Sequence, residues 1–191
     1  MNWETILFFG DSLTVGARGY LGFPEYVGDI LAKRLSKEWN IINNATNGFR
    51  AIDLARSISN NYAGLTAQNP LVSVILIGTN DAKSGTNNDE YRIAVEQIII
   101  KAKLLTLNEN VLLLSIPELA AGVAYPYNQE MNNAIYAYND ILVKLASKHK
   151  TGLLSIPTKD EHYFDGVHFN REGTIFFAQS IAHKILKDRG L

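Results

Sequence analysis

The sequence predicts an α/β fold in which a parallel sheet is covered by helices on both faces. Five short apolar runs of strand length recur along the chain, and segments of helical periodicity separate them. Two of these runs, 71–77 and 111–115, are apolar almost throughout, which is typical of strands buried on both faces of a parallel sheet. This repeated strand–helix alternation favours right-handed crossovers within one sheet.

Each element follows from a local pattern. The predicted strands are apolar runs, at 5–9, 40–43, 71–77, 111–115 and 152–156. The predicted helices place apolar residues at steps of three and four, at 26–38, 51–60, 89–107, 130–149 and 171–188. The polar stretch 82–90 and the proline-containing stretch 117–129 are predicted to be loops. Both follow strands, and ligands of open α/β sheets bind outside the carboxyl ends of strands, so we expect both at the functional edge.

Composition limits the classes of function. The 191 residues suit one domain, 1–191, with 47% apolar and 19% charged residues. A net charge of −1 gives no electrostatic reason to expect a nucleic acid partner. The absence of cysteine removes disulfides and thiolate chemistry. No apolar run is long enough for an integral membrane span, and no signal-peptide pattern precedes the first strand. We therefore expect a cytoplasmic protein. A signal peptide that had already been removed would leave the same sequence.

The segment Gly10-Asp11-Ser12-Leu13 ends the first predicted strand. A serine here can be a helix cap, a phosphate contact or a nucleophile. Ser and Asp are favoured N-caps, and taken alone this segment is better explained by a cap. The glycine spacing matches neither phosphate-binding loop, and Thr14 stands where the α/β-hydrolase elbow needs its second glycine.

The segment Asp165-Gly166-Val167-His168 supplies a possible partner for such a serine. A serine nucleophile needs a base, and the base needs an acceptor that orients its ring. Asp165 can be that acceptor if the backbone turns at Gly166. A solvated turn with an incidental histidine explains the segment equally well, and a pair of metal ligands is a weaker reading.

Two further segments follow predicted strands and could bind an oxyanion. The Asn80 amide, in the segment 78–81, can donate to developing negative charge, and the Gly48 backbone N–H can approach a substrate closely. Asn80 can instead be a turn or cap residue, which is common after strands, and taken alone Gly48 is better explained as a plain loop glycine.

Together these segments resemble the SGNH hydrolases, the GDSL-type esterases and lipases. The blocks appear in order as F-G-D-S-L at 9–13, Asn43 to Gly48, G-T-N-D at 78–81 and D-G-V-H at 165–168. Ala45 stands where the family often has glycine, and Phe169 where it usually has proline. The resemblance implies a three-layer α/β/α sandwich around a five-stranded parallel sheet in flavodoxin-like order, in agreement with the number of predicted strands.

The resemblance also implies roles. Ser12 matches the nucleophile, His168 the base and Asp165 the residue that orients it. Gly48 and Asn80 match the oxyanion donors, joined by the Ser12 N–H. Asp11 matches a residue that supports the nucleophile loop.

The expected function is therefore hydrolysis of small carboxylic esters through an acyl-enzyme, with no metal or organic cofactor. An acyltransferase, lysophospholipase or thioesterase could use the same residues. A metal-dependent phosphoesterase with ligands Asp11, Asp81, Asp165 and His168, or a sugar-binding module without catalysis, are less favoured alternatives.

Aromatic residues in the loops 17–26 and 117–129 are candidate substrate contacts or loop anchors, namely Tyr20, Phe23, Tyr125 and Tyr127. Among the other histidines, His149 and His183 are predicted to lie on the surface. His162 is close enough in sequence to Asp165 to be a candidate residue lining the site. The oligomeric state is not predicted.

Overall fold

The computed structural model describes residues 3–19, 21–106 and 110–190. Its sheet has five strands, which are β1 (Glu4–Gly10), β2 (Trp39–Asn43), β3 (Val72–Leu76), β4 (Val111–Leu114) and β5 (Gly152–Leu154). Their order is β2-β1-β3-β4-β5, and all four pairings are parallel. The predicted α/β class and the flavodoxin-like strand order are confirmed.

The described residues form eight α-helices. They are α1 (Ser12–Val15), α2 (Phe23–Leu35), α3 (Ala51–Asn60), α4 (Tyr62–Thr66), α5 (Thr79–Ser84), α6 (Asn88–Leu105), α7 (Asn132–His149) and α8 (Arg171–Asp188). Short 3₁₀ turns occupy Gln129–Met131 and Asp160–His162. None of the helices in the described ranges has the length and apolarity needed to cross a membrane.

Several boundaries differ from the predictions. Helix α2 begins three residues early, at Phe23, because Pro24 fits the first turn of a helix. The stretch 82–90 is not one loop: α5 starts directly after β3, and the Asn87 side chain caps α6 by accepting from the Glu90 N–H. Helix α4 was not predicted, and the predicted end of the 89–107 helix at residue 107 lies outside the described residues.

Two apolar layers cover the sheet, because successive strand residues point to opposite faces. Leu7 and Phe9 of β1 pack against α3, α6 and α7 on one face. Ile6 and Phe8 pack against α2 and α8 on the other. All four side chains are buried, which accounts for the continuous apolar run of this strand. The arrangement is the three-layer sandwich that the sequence resemblance implied.

Three of the candidate site residues, Ser12, Gly48 and Asn80, lie beyond the carboxyl ends of three adjacent strands. Helix α1 follows β1, the loop 44–50 follows β2, and α5 follows β3. The β2 loop is held against β1 by two backbone bonds, from the Asn44 N–H to the Phe8 carbonyl at 2.8 Å and from the Thr46 N–H to the Gly10 carbonyl at 3.1 Å. The strand order thus brings three distant segments of the chain to one edge.

Candidate active site

Ser12 is the first residue of α1, directly after β1. Asp11, not Ser12, is the N-cap: its Oδ1 accepts from the Leu13 N–H at 3.0 Å. The cap is therefore supplied by Asp11, and the neighbouring Ser12 hydroxyl does not take that role. Ser12 is 8% exposed.

His168 contacts both Ser12 and Asp165 through its two ring nitrogens. Its Nε2 lies 3.0 Å from Ser12 Oγ, and its Nδ1 lies 2.8 Å from Asp165 Oδ2. Because the carboxylate accepts from Nδ1–H, the neutral ring presents an unprotonated Nε2 to the serine. The ring is therefore placed to accept the proton of the Ser12 hydroxyl.

The Asp165 carboxylate is fixed by the turn that precedes His168. Its Oδ1 accepts from the backbone N–H groups of Val167 at 3.0 Å and His168 at 2.8 Å. Gly166 allows this turn because its φ is +83°, in the left-handed region that side chains disfavour. Burial raises the pKa of Asp165, but hydrogen bonds from the His168 N–H, the His168 ring and the Val167 N–H outweigh it, so the pKa is lowered. The carboxylate stays ionised beside the imidazole.

Asn80 lies in the first turn of α5 and has hydrogen-bonding partners on both ends of its amide. Its Nδ2 donates to the Phe49 carbonyl at 3.1 Å and to Asp11 Oδ2 at 3.4 Å. Its Oδ1 accepts from the Tyr127 hydroxyl at 3.3 Å. Acceptors surround the nitrogen and a donor faces the oxygen, so this amide orientation is the favourable one. The longer bond, to Asp11, is the one that an incoming acceptor can most readily replace.

Gly48 lies in the exposed turn that follows β2. It is linked to Asn80 through its neighbour Phe49, whose carbonyl accepts from the Asn80 amide. Among the described residues, its N–H has no hydrogen bond to Ser12 or His168. The structure thus joins Ser12, His168, Asp165, Asn80 and Asp11 by direct contacts, and it links Gly48 to them through the Phe49 carbonyl.

Two buried carboxyl groups lie beneath this edge. Burial, opposed by the hydrogen bond from the Leu13 N–H and reinforced by the nearby Asp81 carboxylate, raises the pKa of Asp11 to about 7. Burial likewise raises the pKa of Asp81 to about 6. Asp81 Oδ2 accepts from the Ala51 N–H at 2.9 Å, so Asp81 holds the first turn of α3, and with it the end of the Gly48 loop.

The aromatic residues predicted near the substrate have different positions. Phe23 is fully buried in the core and is not a pocket wall. Tyr125 is 96% exposed, whereas Tyr127 reaches Asn80. Tyr20 lies outside the described residues. Sequence analysis included Tyr127 only as one of several loop aromatics, since nothing local shows which tyrosine turns inward.

The remaining histidines lie away from Ser12. The surface prediction for His149 is wrong: its side chain is 16% exposed, and its Nε2 lies 2.7 Å from Glu96 Oε1, because the end of α7 packs against α6. His183 is exposed, as predicted. His162 accepts from the Lys159 N–H through Nδ1 and stacks on Phe176 at 4.7 Å, so it shapes the turn before His168.

Comparison with known proteins identifies the class and then the family. A family model described as GDSL-like Lipase/Acylhydrolase matches residues 8–174. The chain therefore belongs to the GDSL-like lipase/acylhydrolase family, and it is a serine hydrolase that acts on ester bonds. Comparison with curated protein sequences gives no match.

Solved structures share the fold at low sequence identity. Axe2, an acetylxylan esterase from Geobacillus stearothermophilus, superposes with a TM-score of 0.73 at 19% identity, covering 95% of this chain and 94% of Axe2. An acetyl xylan esterase, AlAXEase, gives 0.77 at 24% identity, with coverages of 95% and 99%. LAE5, an alpha/beta hydrolase from the metagenome of Lake Arreo, Spain, gives 0.74 at 19%, with coverages of 98% and 95%.

Proposed function

We propose that the chain is a serine esterase that hydrolyses small carboxylic esters, acetyl esters foremost, through an acyl-enzyme. The observation that carries this proposal is the continuous chain of contacts from Ser12 Oγ to His168 Nε2 at 3.0 Å and from His168 Nδ1 to Asp165 at 2.8 Å. The names of the acetylxylan esterases with the same fold support acetylated sugars as the first substrates to test.

In the proposed reaction, Ser12 Oγ attacks the ester carbonyl carbon while His168 Nε2 takes its proton. Asp165 holds the ring in the required tautomer and stabilises the imidazolium. His168 then protonates the departing alcohol as the carbonyl–oxygen bond breaks. Water attacks the acyl-Ser12 ester by the same route, releasing the carboxylic acid and regenerating the serine.

The developing oxyanion is proposed to be bound by the Ser12 N–H, the Gly48 N–H and the Asn80 Nδ2. Asn80 would exchange its long bond to Asp11 for a bond to the oxyanion and keep its bond to the Phe49 carbonyl. Such preorganised donors stabilise a transition state without reorganising during the reaction.

The contacts favour this function over a metal-dependent phosphoesterase. The described residues contain no group of three His, Asp or Glu positioned to hold a metal ion. The carboxylates that such a site would need have other partners: Asp11 and Asp81 accept backbone N–H groups, and Asp165 accepts from His168.

A panel of esters tests the proposal. The panel grades acyl length and includes acetylated sugars, a thioester and a lysophospholipid, assayed with the wild type and with Ser12→Ala. We expect the short esters to be cleaved fastest, Ser12→Ala to be inactive yet folded, and a fluorophosphonate to label Ser12. Ester cleavage retained by Ser12→Ala, or activity abolished by a chelator, would refute the proposed mechanism.

A further inference from the structure

A cavity of about 460 Å³ is lined by Phe164, the residue before Asp165, and by Arg18, whose Nε lies 3.9 Å from Asp165 Oδ2. It lies between the segment that follows α1 and the start of α8. Its lining includes two arginines and several apolar or polar residues, among them Arg18, Leu21, Tyr26, Phe164, Asn170 and Arg171. We name it the Arg18–Arg171 cavity.

The described lining of this cavity carries positive charge and no carboxylate. Arg18 Nε lies 3.9 Å from Asp165 Oδ2, and that carboxylate already accepts from His168. Among the described residues, Arg171 has neither an ion-pair nor a hydrogen-bond partner for its guanidinium. Two guanidinium groups therefore share one cavity with little compensating charge from the chain itself.

The backbone at Arg18 is unusual for a long side chain. Its φ is +70°, in the left-handed region where glycine is the residue without strain. The turn is held by the Gly19 N–H donating to the Gly16 carbonyl at 2.9 Å. Non-glycine residues in this region concentrate at functional sites, where the side chain justifies the strain.

The apolar part of the cavity is also exposed. Phe164 has 67% of its surface accessible and Leu21 has 37%. The backbone of Phe164 is nevertheless held in place, since its N–H donates to the His168 carbonyl at 2.7 Å. An aromatic ring beside two guanidinium groups suits a ligand with an apolar face and a negative charge.

We propose that the Arg18–Arg171 cavity is a substrate subsite that binds an anionic group, a carboxylate or a phosphate, carried by the ester. Phe164 and Leu21 contact the apolar part of the same substrate. Since Arg18 Nε lies 3.9 Å from Asp165 Oδ2, the anion binds on the Asp165 side of His168. This inference rests on the proposed esterase function and adds to it a class of substrate.

Kinetics with a matched pair of esters tests the subsite. The pair is 4-acetoxybenzoate, which is anionic, and methyl 4-acetoxybenzoate, which is neutral. In Arg171→Gln we expect kcat/KM for the anionic ester to fall about tenfold, the effect of one charge-assisted hydrogen bond, and for the neutral ester to change by less than about twofold. In Arg18→Gln the ratio of kcat/KM for the anionic ester to kcat/KM for the neutral ester should fall by a similar factor. Arg34→Gln, which removes an exposed arginine of α2 outside this cavity, is the control and should leave the ratio unchanged.

The proposal is wrong if both esters lose activity equally in the Arg18 and Arg171 variants, or if Arg34→Gln lowers the ratio as much. If the wild type cleaves neither these two esters nor any ester of the panel above, the esterase function fails, and a binding measurement still decides the subsite. Calorimetry with Ser12→Ala compares benzoate and phenyl phosphate with neutral benzamide. We expect at least one anion to bind more tightly than benzamide and to lose that advantage in Ser12→Ala/Arg171→Gln.

Binding of benzamide as tight as that of both anions would refute the subsite whatever the kinetic result. Comparing the two anions also shows whether the subsite prefers a carboxylate or a phosphate. A preference for benzoate supports esters of acidic sugars or other carboxylic acids, and a preference for phenyl phosphate supports phosphate-bearing esters.

Discussion

The Tyr127 hydroxyl donates to Asn80 Oδ1 across 3.3 Å, joining the loop after β4 to the first turn of α5. The bond orients the Asn80 amide so that Nδ2 faces the Ser12 side of the site, where Asp11 and the Phe49 carbonyl accept from it. Burial, followed by the charges of Asp11 and Asp165, raises the pKa of Tyr127, so the hydroxyl keeps its proton and remains a donor. We infer that Tyr127 is a positioning residue for the proposed oxyanion donor.

Tyr127→Phe should therefore lower kcat and leave KM nearly unchanged. Loss of one neutral hydrogen bond predicts a decrease of about 3- to 10-fold. The measurement is steady-state kinetics on a neutral acetate ester. Tyr125→Phe is the matched control, because Tyr125 belongs to the same loop and is 96% exposed. Equal effects of the two substitutions would show that the loop, and not the bond, matters.

A double-mutant cycle tests whether Tyr127 acts through Asn80. Asn80→Ala should lower kcat by about 10²- to 10³-fold, the usual effect of removing an oxyanion donor. Once Asn80 is absent, Tyr127→Phe should have almost no further effect, because the amide it orients is gone. Full additivity of the two substitutions would contradict the inferred coupling.

Asp165→Asn should reduce kcat by roughly 10³- to 10⁴-fold without unfolding the protein. The new amide can still accept the Val167 and His168 N–H groups through Oδ1, so the turn survives. Its Nδ2 would then face His168 Nδ1 and donate to it, which places the ring proton on Nε2 and prevents that atom from accepting the Ser12 proton. Asp29→Asn, at an exposed position on α2, serves as the control in the same assay. Activity within a few-fold of wild type would remove Asp165 from the mechanism.

The raised pKa of Asp81 predicts that the stability of the protein depends on pH. Its pKa of about 6 in the folded state lies above that of an unfolded aspartate, chiefly because of burial. Between about pH 4 and pH 6 the folded state binds more protons, so the free energy of unfolding should fall as pH rises. Measured by urea denaturation, the decrease in the free energy of unfolding that is due to Asp81 is roughly 1–3 kcal/mol over this range. Asp81→Asn should remove this decrease.

Asp11, with a pKa of about 7, also makes the free energy of unfolding fall as pH rises, up to a higher pH than Asp81 does. Asp11 is still present in the Asp81→Asn variant. The lowered pKa of Asp165 acts only below about pH 4, because that carboxyl is ionised in both states above it. The difference between wild type and Asp81→Asn therefore reports Asp81 together with its effect on Asp11, whose pKa the Asp81 carboxylate raises. A difference that does not change with pH between 4 and 6 would contradict the assignment.

Gly166→Ala should destabilise the turn that holds Asp165. A Cβ there would lie 2.8 Å from Val123 Cα, in addition to the strain of a side chain at φ +83°. The left-handed conformation alone costs about 1–2 kcal/mol. Gly122→Ala is the matched control, since Gly122 has φ +75° and no atom within 4 Å of such a Cβ. Thermal and urea denaturation should show the larger loss for Gly166→Ala, and equal losses would show that the contact with Val123 is unimportant.

Local sequence patterns predicted most of the fold. Strands such as β1 are recognisable because both faces are buried, and helices such as α3 because their buried residues recur at helical steps. The early start of α2 at Phe23 and the short loop before α6 were missed, since proline in a first turn and an asparagine cap act over two or three residues. His149 was misjudged because its hydrogen bond with Glu96 joins residues 53 positions apart.

By itself, the sequence determined the α/β class and the residue types that the proposed chemistry needs, because backbone propensity and chemical character are local properties. Only the tertiary structure decided which of them meet. Parallel pairing in the order β2-β1-β3-β4-β5 brings the first, second and third strand ends to one edge. Ser12 and His168, 156 residues apart, come within 3.0 Å there. The inward turn of Tyr127, the hydrogen bond from α3 to Asp81 and the position of Arg18 and Arg171 around one cavity depend on packing between distant segments, which no local pattern encodes.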